Sequence, residues 1–475
     1  MRAARSWNGE KEGMMCRKSA HGLPRSELCQ FFRNGEEMIH RTPLEPSLWY
    51  ATAAPAPETS ALDGTVDAPV CVIGAGYTGL STALHLGERG VGAVVLEAQQ
   101  IGHGGSGRNA GHCTPTFHVH EIATVRRILG EPFAERLIER QTNAANLVFD
   151  IIRRYGIDCE AVQTGYIHAA HATAALAKLE RRCREYAAVG KATRMLDRDE
   201  AQRLTGSPRF CGGWIHPEGG HLNPLGYARG LARAAMSRGA RVFTRSPVIA
   251  IRPQGGRWRV ETPTGSVLAD KVVCGTGAYT DGYWPGLEQS FARLGVAVLA
   301  TQPLGDNVRR TIAPENNTVV DSRRDISIWK YDKDGRLVTS LFVEGKRGTD
   351  AAYTHDLMRR KLQWLLPQLG DIEFQYSWTG ALDMQPRTFP RLYGLAPGVV
   401  ASLGYSGRGV PTGTMMGTVL AEWATGTKPQ DLALPVETLQ RAPAYMRFMP
   451  RVMLAWSRIR DQRSARRDGL DPPPF

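Results

Sequence analysis

The 475-residue chain contains no stretch approaching the roughly 18 consecutive apolar residues of a membrane-crossing helix. Its amino terminus lacks the basic, apolar, small-residue order of a secretory signal. None of its eight cysteines forms a C-x-x-C pair, which excludes zinc-ribbon and redox-dithiol spacings. They are Cys16, Cys29, Cys71, Cys113, Cys159, Cys183, Cys211 and Cys274. Cys71 and Cys274 sit in apolar strand-like runs, where a thiol behaves as a small hydrophobe. No segment recurs at a fixed period, so a solenoid or propeller is excluded. These absences predict a soluble cytoplasmic protein with reduced thiols.

The net charge of +13 raises nucleic acid as a partner. The arginines, however, are spread along the chain, and the densest run, Arg447–Arg467, lies at its end. No zinc-finger spacing or aromatic-interleaved basic patch accompanies them, so no nucleic-acid partner is expected. A positive field suits an anionic cofactor equally well.

Hydrophobic residues at 42% and charged residues at 22% are ordinary for a globular protein, and the length allows two or three domains. The 51 glycines predict many tight turns. Residues 1–37 are polar and aperiodic and read as disordered, and the whole of 1–46 as a disordered or extended arm. From Pro69 the pattern sharpens. Pro69–Ile73 reads as a strand, Leu80, Leu84 and Leu86 with Ala83 as one face of a helix closed by Gly90, and Ala93–Leu96 as a second strand. This is a βαβ unit. Glu131–Tyr155 and Ala174–Ala188 read as amphipathic helices. Residues 221–251 read as helix then strand with Gly239 as the stop, 256–278 as a hairpin around Thr264-Gly265, and 294–345 as alternating strands. Residues 398–426 read as strand, glycine turn and a helix from about Thr412.

Three glycine-rich stretches carry the chemistry. Gly74-Ala-Gly76-Tyr-Thr-Gly79 follows a strand and opens a helix, as a dinucleotide fingerprint requires. Gly74 permits a sharp turn, Gly76 the close approach of a pyrophosphate, and Gly79 the packing of helix on strand. The helix amino terminus offers unpaired N–H groups to the diphosphate. Glu97 ends the second strand, where its carboxylate can accept from both ribose hydroxyls and would repel a 2′-phosphate. The second stretch, "GGSGRNAGHC" (104–113), is placed to cover the pyrophosphate, with Ser106, Arg108 and Asn109 as polar contacts. His103, His112 and Cys113 are metal-ligand types that would need a fourth ligand and a rigid frame; His118 and His120 could help, but the glycines between give no preorganisation, so no metal is expected. The third, Gly404-Tyr-Ser-Gly407-Arg408-Gly409, is another turn into a helix. There Arg408 and the helix dipole make an electropositive spot suited to the charge of a reduced flavin.

With these motifs in view the chain resembles the FAD-dependent amine and amino-acid oxidoreductases of the D-amino-acid oxidase superfamily, in particular the branch of gamma-glutamylputrescine oxidoreductases. The matching text includes "SLWYATAAPAPE", "VCVIGAGYTGLSTALHLGERG", "VVLEAQQIGHGGSGRNAGH", "VVCGTGAYTD" and "WTGALDMQPRTFPRLYGLAPGVVASLGYSGRGVPTGTMMGTVLAEW", within residues 47–426. The resemblance implies a two-lobed α/β fold, with a Rossmann-type FAD-binding domain and a β-rich (α+β) substrate domain. The FAD-binding domain would comprise 47–150, 216–284 and 391–430, the substrate domain 151–215 and 285–390, and 431–475 a helical tail. It implies Gly74, Gly76 and Thr78 at the pyrophosphate, Glu97 at the ribose and Ser106, Arg108 and Asn109 along the diphosphate and flavin. Val248 would lie by the adenine, Gly277 near the pyrophosphate, and Gly404, Tyr405, Gly407, Arg408, Gly409 and Val410 at the flavin.

Departures from the family pattern narrow the reaction. Relatives that oxidise amino acids often carry an arginine two residues after a W-x-G element; here Trp378-Thr-Gly380 is followed by Ala381 and Leu382. Without that bidentate carboxylate clamp an amine is the expected substrate. Covalent flavin attachment in relatives uses a cysteine near that element or a histidine in the early glycine loop. The first place has no cysteine and Asn109 holds the second, so FAD is expected to be non-covalent. Arg408 is expected to stabilise reduced flavin, and Trp378, Tyr331 and Trp329 are candidates for the substrate wall or for core aromatics. Oxygen or an electron carrier would accept the electrons. The alternatives are an amino-acid dehydrogenase or oxidase of the D-amino-acid, glycine or sarcosine type, a redox-inert flavoprotein, and, more weakly, an NAD enzyme.

Overall fold

The computed structural model describes residues 42–343, 350–447, 449–469 and 472–474. The expected disorder of residues 1–37 lies outside the described residues. Residues 42–46, expected to be loose, are packed: Leu44 is fully buried and Thr42 bonds to Arg108.

Two sheets organise the chain. The first has nine strands. Its parallel centre comprises Val399–Leu403, Gly265–Cys274, Gly64–Ile73, Ala93–Leu96 and Arg241–Phe243, in that spatial order. Arg391–Ala396 and Val436–Thr438 extend one edge, so the tail after residue 431 begins with a strand rather than a helix. The hairpin strands Ala250–Gln254 and Arg257–Glu261 lean on Gly265–Cys274. The second sheet has eight strands, in the order Phe374–Met384, Ala292–Pro303, Arg336–Val343, Ile328–Tyr331, Thr318–Asp321, Tyr166–Ala170, Gly212–His216 and Arg194–Leu196.

The helix Tyr77–Glu88 forms where the sequence periodicity places it. Gly76 precedes it, and Gly90, at φ +73°, turns the chain out. Leu80, Leu84 and Leu86 are fully buried, each contributing about 2 kcal/mol of hydrophobic stabilisation. They share one core with the helices Phe133–Tyr155, Pro224–Ser237 and Gly409–Ala424 on one face of the first sheet. A second cluster, including Cys71, Ile73, Val94 and Val267, fills the other face, as parallel strands require. The second sheet packs its own core against the helix Ala351–Leu365.

Two helices fit very closely. A Cβ at Gly417 would stand 2.4 Å from Ser81 Cβ, so the helix Gly409–Ala424 lies hard against the fingerprint helix. That approach brings two helix amino termini to the same edge of the sheet.

Candidate functional site

The parallel strands end together. Ile73 is in register with both Leu96 and Cys274, so Gly74, Glu97 and Gly275 emerge side by side. This is the edge of an open α/β sheet where a dinucleotide binds. Gly74 adopts φ +100°, and a Cβ on it would meet Gly275 O at 3.1 Å. A Cβ at Gly79 would fall 2.0 Å from Gly74 O, and one at Gly76 2.8 Å from Ser106 Oγ. Gly79 is therefore required by its backbone contact and Gly74 by its left-handed conformation, while a Cβ at Gly76 would press only on the Ser106 hydroxyl.

A cavity opens here, lined by Gly74, Gly76, Glu97, Gly104, Ser106, Arg245, Val248 and Thr276 among others. Glu97 accepts Ala75 N–H at 2.8 Å and Gln99 N–H at 3.0 Å, which fixes its carboxylate at the cavity wall. Burial raises its carboxyl above the ordinary range, opposed by those amides. Val248 lies on the same cavity.

A second cavity adjoins the first, sharing Gly105, Ser106, Gly275, Thr276 and Tyr279 with it. Its upper wall is the glycine loop and the turn Tyr405–Val410, together with Thr78 and Gly277. Its lower wall is the second sheet, with Leu294, Val296, Val298, Val320, Ile328 and Phe342. Leu382 and Met384 close one side. The two cavities form one elongated space running from Glu97 to Arg408.

The turn that ends this space is built by Asp383. Gly404 and Gly407 take φ +91° and +87°, and Ser406 takes +48°. Asp383 Oδ2 accepts Gly404 N–H at 2.6 Å, and further backbone amides of Tyr405 and Ser406 face the same carboxylate. Burial still pushes its carboxyl up to about 6. The helix then begins at Gly409, three residues before the expected Thr412, because Arg408 already stands at its amino cap. Gly404 lies behind the turn, against Gln385 and Phe389, and is not on the cavity wall. Tyr405 bonds Thr78 at 2.8 Å and so ties this turn to the fingerprint helix.

The glycine loop is more ordered than its composition suggests. Gly105–Arg108 makes one helical turn, and His112–Cys113 pairs with Gly220–His221. Ser106 Oγ accepts Tyr77 N–H at 3.0 Å. Arg108 and Asn109 reach the cavity with their stems, but their polar groups face protein. Arg108 donates to His103 O, Thr42 O, Thr42 Oγ1 and Thr379 O. Asn109 Nδ2 donates to Tyr77 Oη, Gly105 O and Ser106 O, while its Oδ1 accepts Gly111 N–H. These two residues shape the loop, and the polar contacts expected of them toward the cofactor are taken up internally.

The aromatic candidates for the substrate wall are core residues. Trp378 is buried against Trp49 and donates to Arg108 O. Tyr331 donates to Ile312 O, and Trp329 stacks on Phe210 in the core of the second sheet. Strand alternation points Trp329 and Tyr331 away from the cavity, which Ile328 faces, whereas Trp378 shares its strand face with Leu382 and pairs with Val298 but is covered by Trp49 and the glycine loop.

Arg408 does line the cavity, with its guanidinium over the Tyr166 ring. His112 and His118 line it too, and neither ring nitrogen of His112 has a hydrogen-bond partner. His112 is held down to about 3 by burial, then by Lys330 and Arg408. Cys113 is fully buried, and burial raises its thiol far above the ordinary value, which makes it an unreactive hydrophobe. Sequence reading missed Asp383, Tyr279, Thr276 and His118. Among the described residues no group of three or more His, Cys, Asp or Glu gathers to hold a metal, and no helix is long and apolar enough to cross a membrane.

The donor set fits an extended flavin dinucleotide. Two helix amino termini and the fingerprint glycines face a space bounded by a ribose-suited carboxylate at one end and an arginine at the other. Residues 69–423 match the family model "DAO: FAD dependent oxidoreductase". The gamma-glutamylputrescine oxidoreductase of Escherichia coli (strain K12) is 32% identical over 368 residues, covering 77% of this chain and 85% of that protein. A probable oxidoreductase OrdL of Haemophilus influenzae is 29% identical, over 76% of this chain and 83% of that protein. Among solved structures, glycine oxidase from Geobacillus kaustophilus superposes with a TM-score of 0.66 at 19% identity, covering 80% of this chain and all of that one.

Proposed function

Since the chain belongs to the FAD-dependent oxidoreductase family, with FAD as its cofactor and a small-molecule amine or amino acid as its substrate class, we propose that it oxidises the C–N bond of an amine. The amine would resemble gamma-glutamylputrescine, FAD would be held without a covalent bond, and oxygen would reoxidise it with release of hydrogen peroxide. When bound, FAD supplies the acceptor for the hydride that leaves the amine α-carbon, and the remaining imine hydrolyses to an aldehyde and ammonia.

The observation that carries this reading is Leu382. It lines the cavity, at the position where an amino-acid oxidase of this family would present a carboxylate-clamping arginine. Leu294, Val296, Phe342 and Met384 surround that side, so an α-carboxylate there would be buried without a partner. The apolar wall suits an aliphatic amine and favours its neutral form, which makes a dedicated base unnecessary. Gly74, Gly76, Thr78 and Gly79 hold the pyrophosphate end, with Glu97 at the ribose, Val248 by the adenine and Gly277 beside Thr276. The Tyr405–Val410 turn and the amino end of its helix face the ring end. There Arg408 supplies positive field for the charge that reduction brings. The segments 47–150, 216–284 and 391–430 would form the cofactor-binding lobe of a cytoplasmic enzyme.

The test is aerobic turnover with amines, polyamines, their gamma-glutamyl derivatives and free amino acids, scored for hydrogen peroxide. Amines should produce it. Reduction of the flavin without peroxide would point instead to a dehydrogenase that passes electrons to a carrier.

A further inference from the structure

Seven large hydrophobic side chains stand exposed among the described residues, and four of them, Tyr445, Val452, Trp456 and Ile459, are close together in the chain. The last three belong to the helix Met449–Arg467, where they recur at i, i+4 and i+7 and so form one stripe. They are 65%, 56% and 46% exposed. The opposite face of the helix is buried, at Ser457, Asp461 and Ala465.

That inner face fixes the roll of the helix. Asp461 Oδ2 accepts the backbone N–H groups of Arg324 and Asp325, each at 3.1 Å. Arg458 Nε donates to Asp325 Oδ2 at 3.1 Å. Just past the last turn, Asp468 accepts Thr173 N–H at 3.2 Å. Turning Trp456 inward would break these bonds, so the apolar stripe is held toward solvent.

Charge accompanies the stripe. The helix carries six arginines and a single acid, the inward-facing Asp461. Arg460, Arg463, Arg466 and Arg467 are exposed, and among the described residues none of the four forms an ion pair. Arg460 lies over the Trp456 ring, 4.9 Å from its centroid. At about 100° per residue Arg463 continues the stripe, with Arg466 and Arg467 to either side. The outer face is therefore apolar toward its amino end and cationic toward its carboxyl end.

This arrangement selects an occupant. Residues 1–41 hold eight basic and five acidic side chains, so they do not complement the face, and a second copy of a chain of net charge +13 is repelled. The partner is anionic. A protein partner reads a helix by enclosing it in a groove, whereas this helix is already bound along its inner side and offers a ridge. A lipid surface accepts a ridge. Apolar side chains enter the boundary between headgroups and acyl chains, tryptophan favours that level, and arginines attract anionic headgroups.

We propose that the helix Met449–Arg467 docks the protein on an anionic lipid surface, with Val452, Trp456 and Ile459 entering the interface and Arg460, Arg463, Arg466 and Arg467 on the headgroups. The helix lies on the membrane and does not cross it.

The purified holoenzyme is sedimented with vesicles of phosphatidylcholine alone and with vesicles that also contain phosphatidylglycerol. It should bind the second kind and not the first, and added salt should release it. Trp456→Ser with Ile459→Ser should weaken that binding by about tenfold or more, and so should Arg463→Gln, Arg466→Gln and Arg467→Gln together. The same charge removed elsewhere on the surface, by Arg127→Gln, Arg198→Gln and Arg310→Gln together, should change it less than about twofold. The flavin-to-protein absorbance ratio reports whether each variant is folded. Failure of the wild type to bind anionic vesicles, or equal loss in the two arginine triples, overturns lipid docking. So does polyaspartate that binds the wild type as tightly as the vesicles do, which would mark an acidic protein as the partner. A dimer that Trp456→Ser dissociates, without vesicle binding, would give the face to a second copy. If a helix variant loses its flavin, the wild-type comparison of the two vesicles and polyaspartate still decides.

Discussion

Trp378 donates its indole N–H to the carbonyl oxygen of Arg108 at 2.8 Å, which ties a strand of the second sheet to the glycine loop that covers the cofactor cleft. Trp49 packs edge-on against Trp378, its ring centroid 5.6 Å away, and donates to Asn109 O, the next carbonyl along. Two tryptophans thus fix the loop from behind. This relationship recasts both partners: Trp378 supports the site without touching substrate, and Arg108 holds the loop through its own donors to Thr42, His103 and Thr379.

Replacing Trp378 with Phe should therefore cost about 1 kcal/mol of stability for the lost hydrogen bond, while the steady-state constants change less than about twofold. Arg108→Ala should cost more, about 3 kcal/mol, because it leaves several buried acceptors unpaired. Denaturant midpoints alongside amine kinetics check both. A Trp378→Phe enzyme with an unchanged midpoint and a collapsed rate would return Trp378 to the substrate wall.

Gly79→Ala should yield a folded but nearly colourless protein. The added Cβ would sit 2.0 Å from Gly74 O, so the strand-to-helix turn must open. The flavin-to-protein absorbance ratio after purification measures this, and a ratio matching wild type would contradict the assignment of the fingerprint.

Much of this site was legible in the chain, and the reason is steric. Gly74 and Gly79 stand where only glycine fits, and Glu97 stands where a strand must end, so local pattern was sufficient. The βαβ unit, the hairpin around Thr264-Gly265 and the stops at Gly90 and Gly239 follow from the same local rules. What local pattern could not supply was the orientation of side chains on the second sheet. Trp329, Tyr331 and Trp378 are aromatic and near the right motifs, yet strand register turns the first two into the core, and Trp49 with the glycine loop covers the third. Asp383 and His118 gave no local signal. Asp383 becomes visible only once Gly404 is brought against it from another strand, and His118 only once Arg408 arrives from a distant helix. The small residues Gly413 and Gly417 did carry a readable hint of the helix contact that brings the two amino termini together.

Asp383→Asn should weaken the turn by about 2 kcal/mol, since one amide oxygen replaces a carboxylate facing several N–H donors. The pH dependence has a defined sign. The folded carboxyl sits at about 6, above its ordinary 3.8, so the native state keeps the proton longer as pH rises. Stability from that protonation is fully present below the unfolded value and is lost as pH climbs to about 6. The wild type's advantage over Asp383→Asn should accordingly shrink across that window in denaturant titrations. An advantage that grows with pH would show that the amides outweigh burial.

Acid should destabilise the protein through its buried neutral histidines. His118 and His112 are each held to about 3 against an ordinary 6.5. Below 6.5 the unfolded chain takes up protons that the folded one refuses, so their stability is present at neutral pH and lost as the medium acidifies toward 3. At about one pH unit below 6.5 each costs about 1 kcal/mol. His118→Gln should be spared about that amount when unfolding at neutral pH is compared with about pH 5.5. A variant as acid-sensitive as wild type would mean that His118 is already protonated in the folded state.

The account turns on a bound flavin that amines reduce. The direct measurement is anaerobic titration of the purified holoenzyme with amines, gamma-glutamyl amines and free α-amino acids, following the long-wavelength flavin absorbance. The prediction is bleaching by amines at concentrations where α-amino acids leave the spectrum unchanged. Bleaching by α-amino acids alone would contradict the reading of Leu382 and of the cavity it lines.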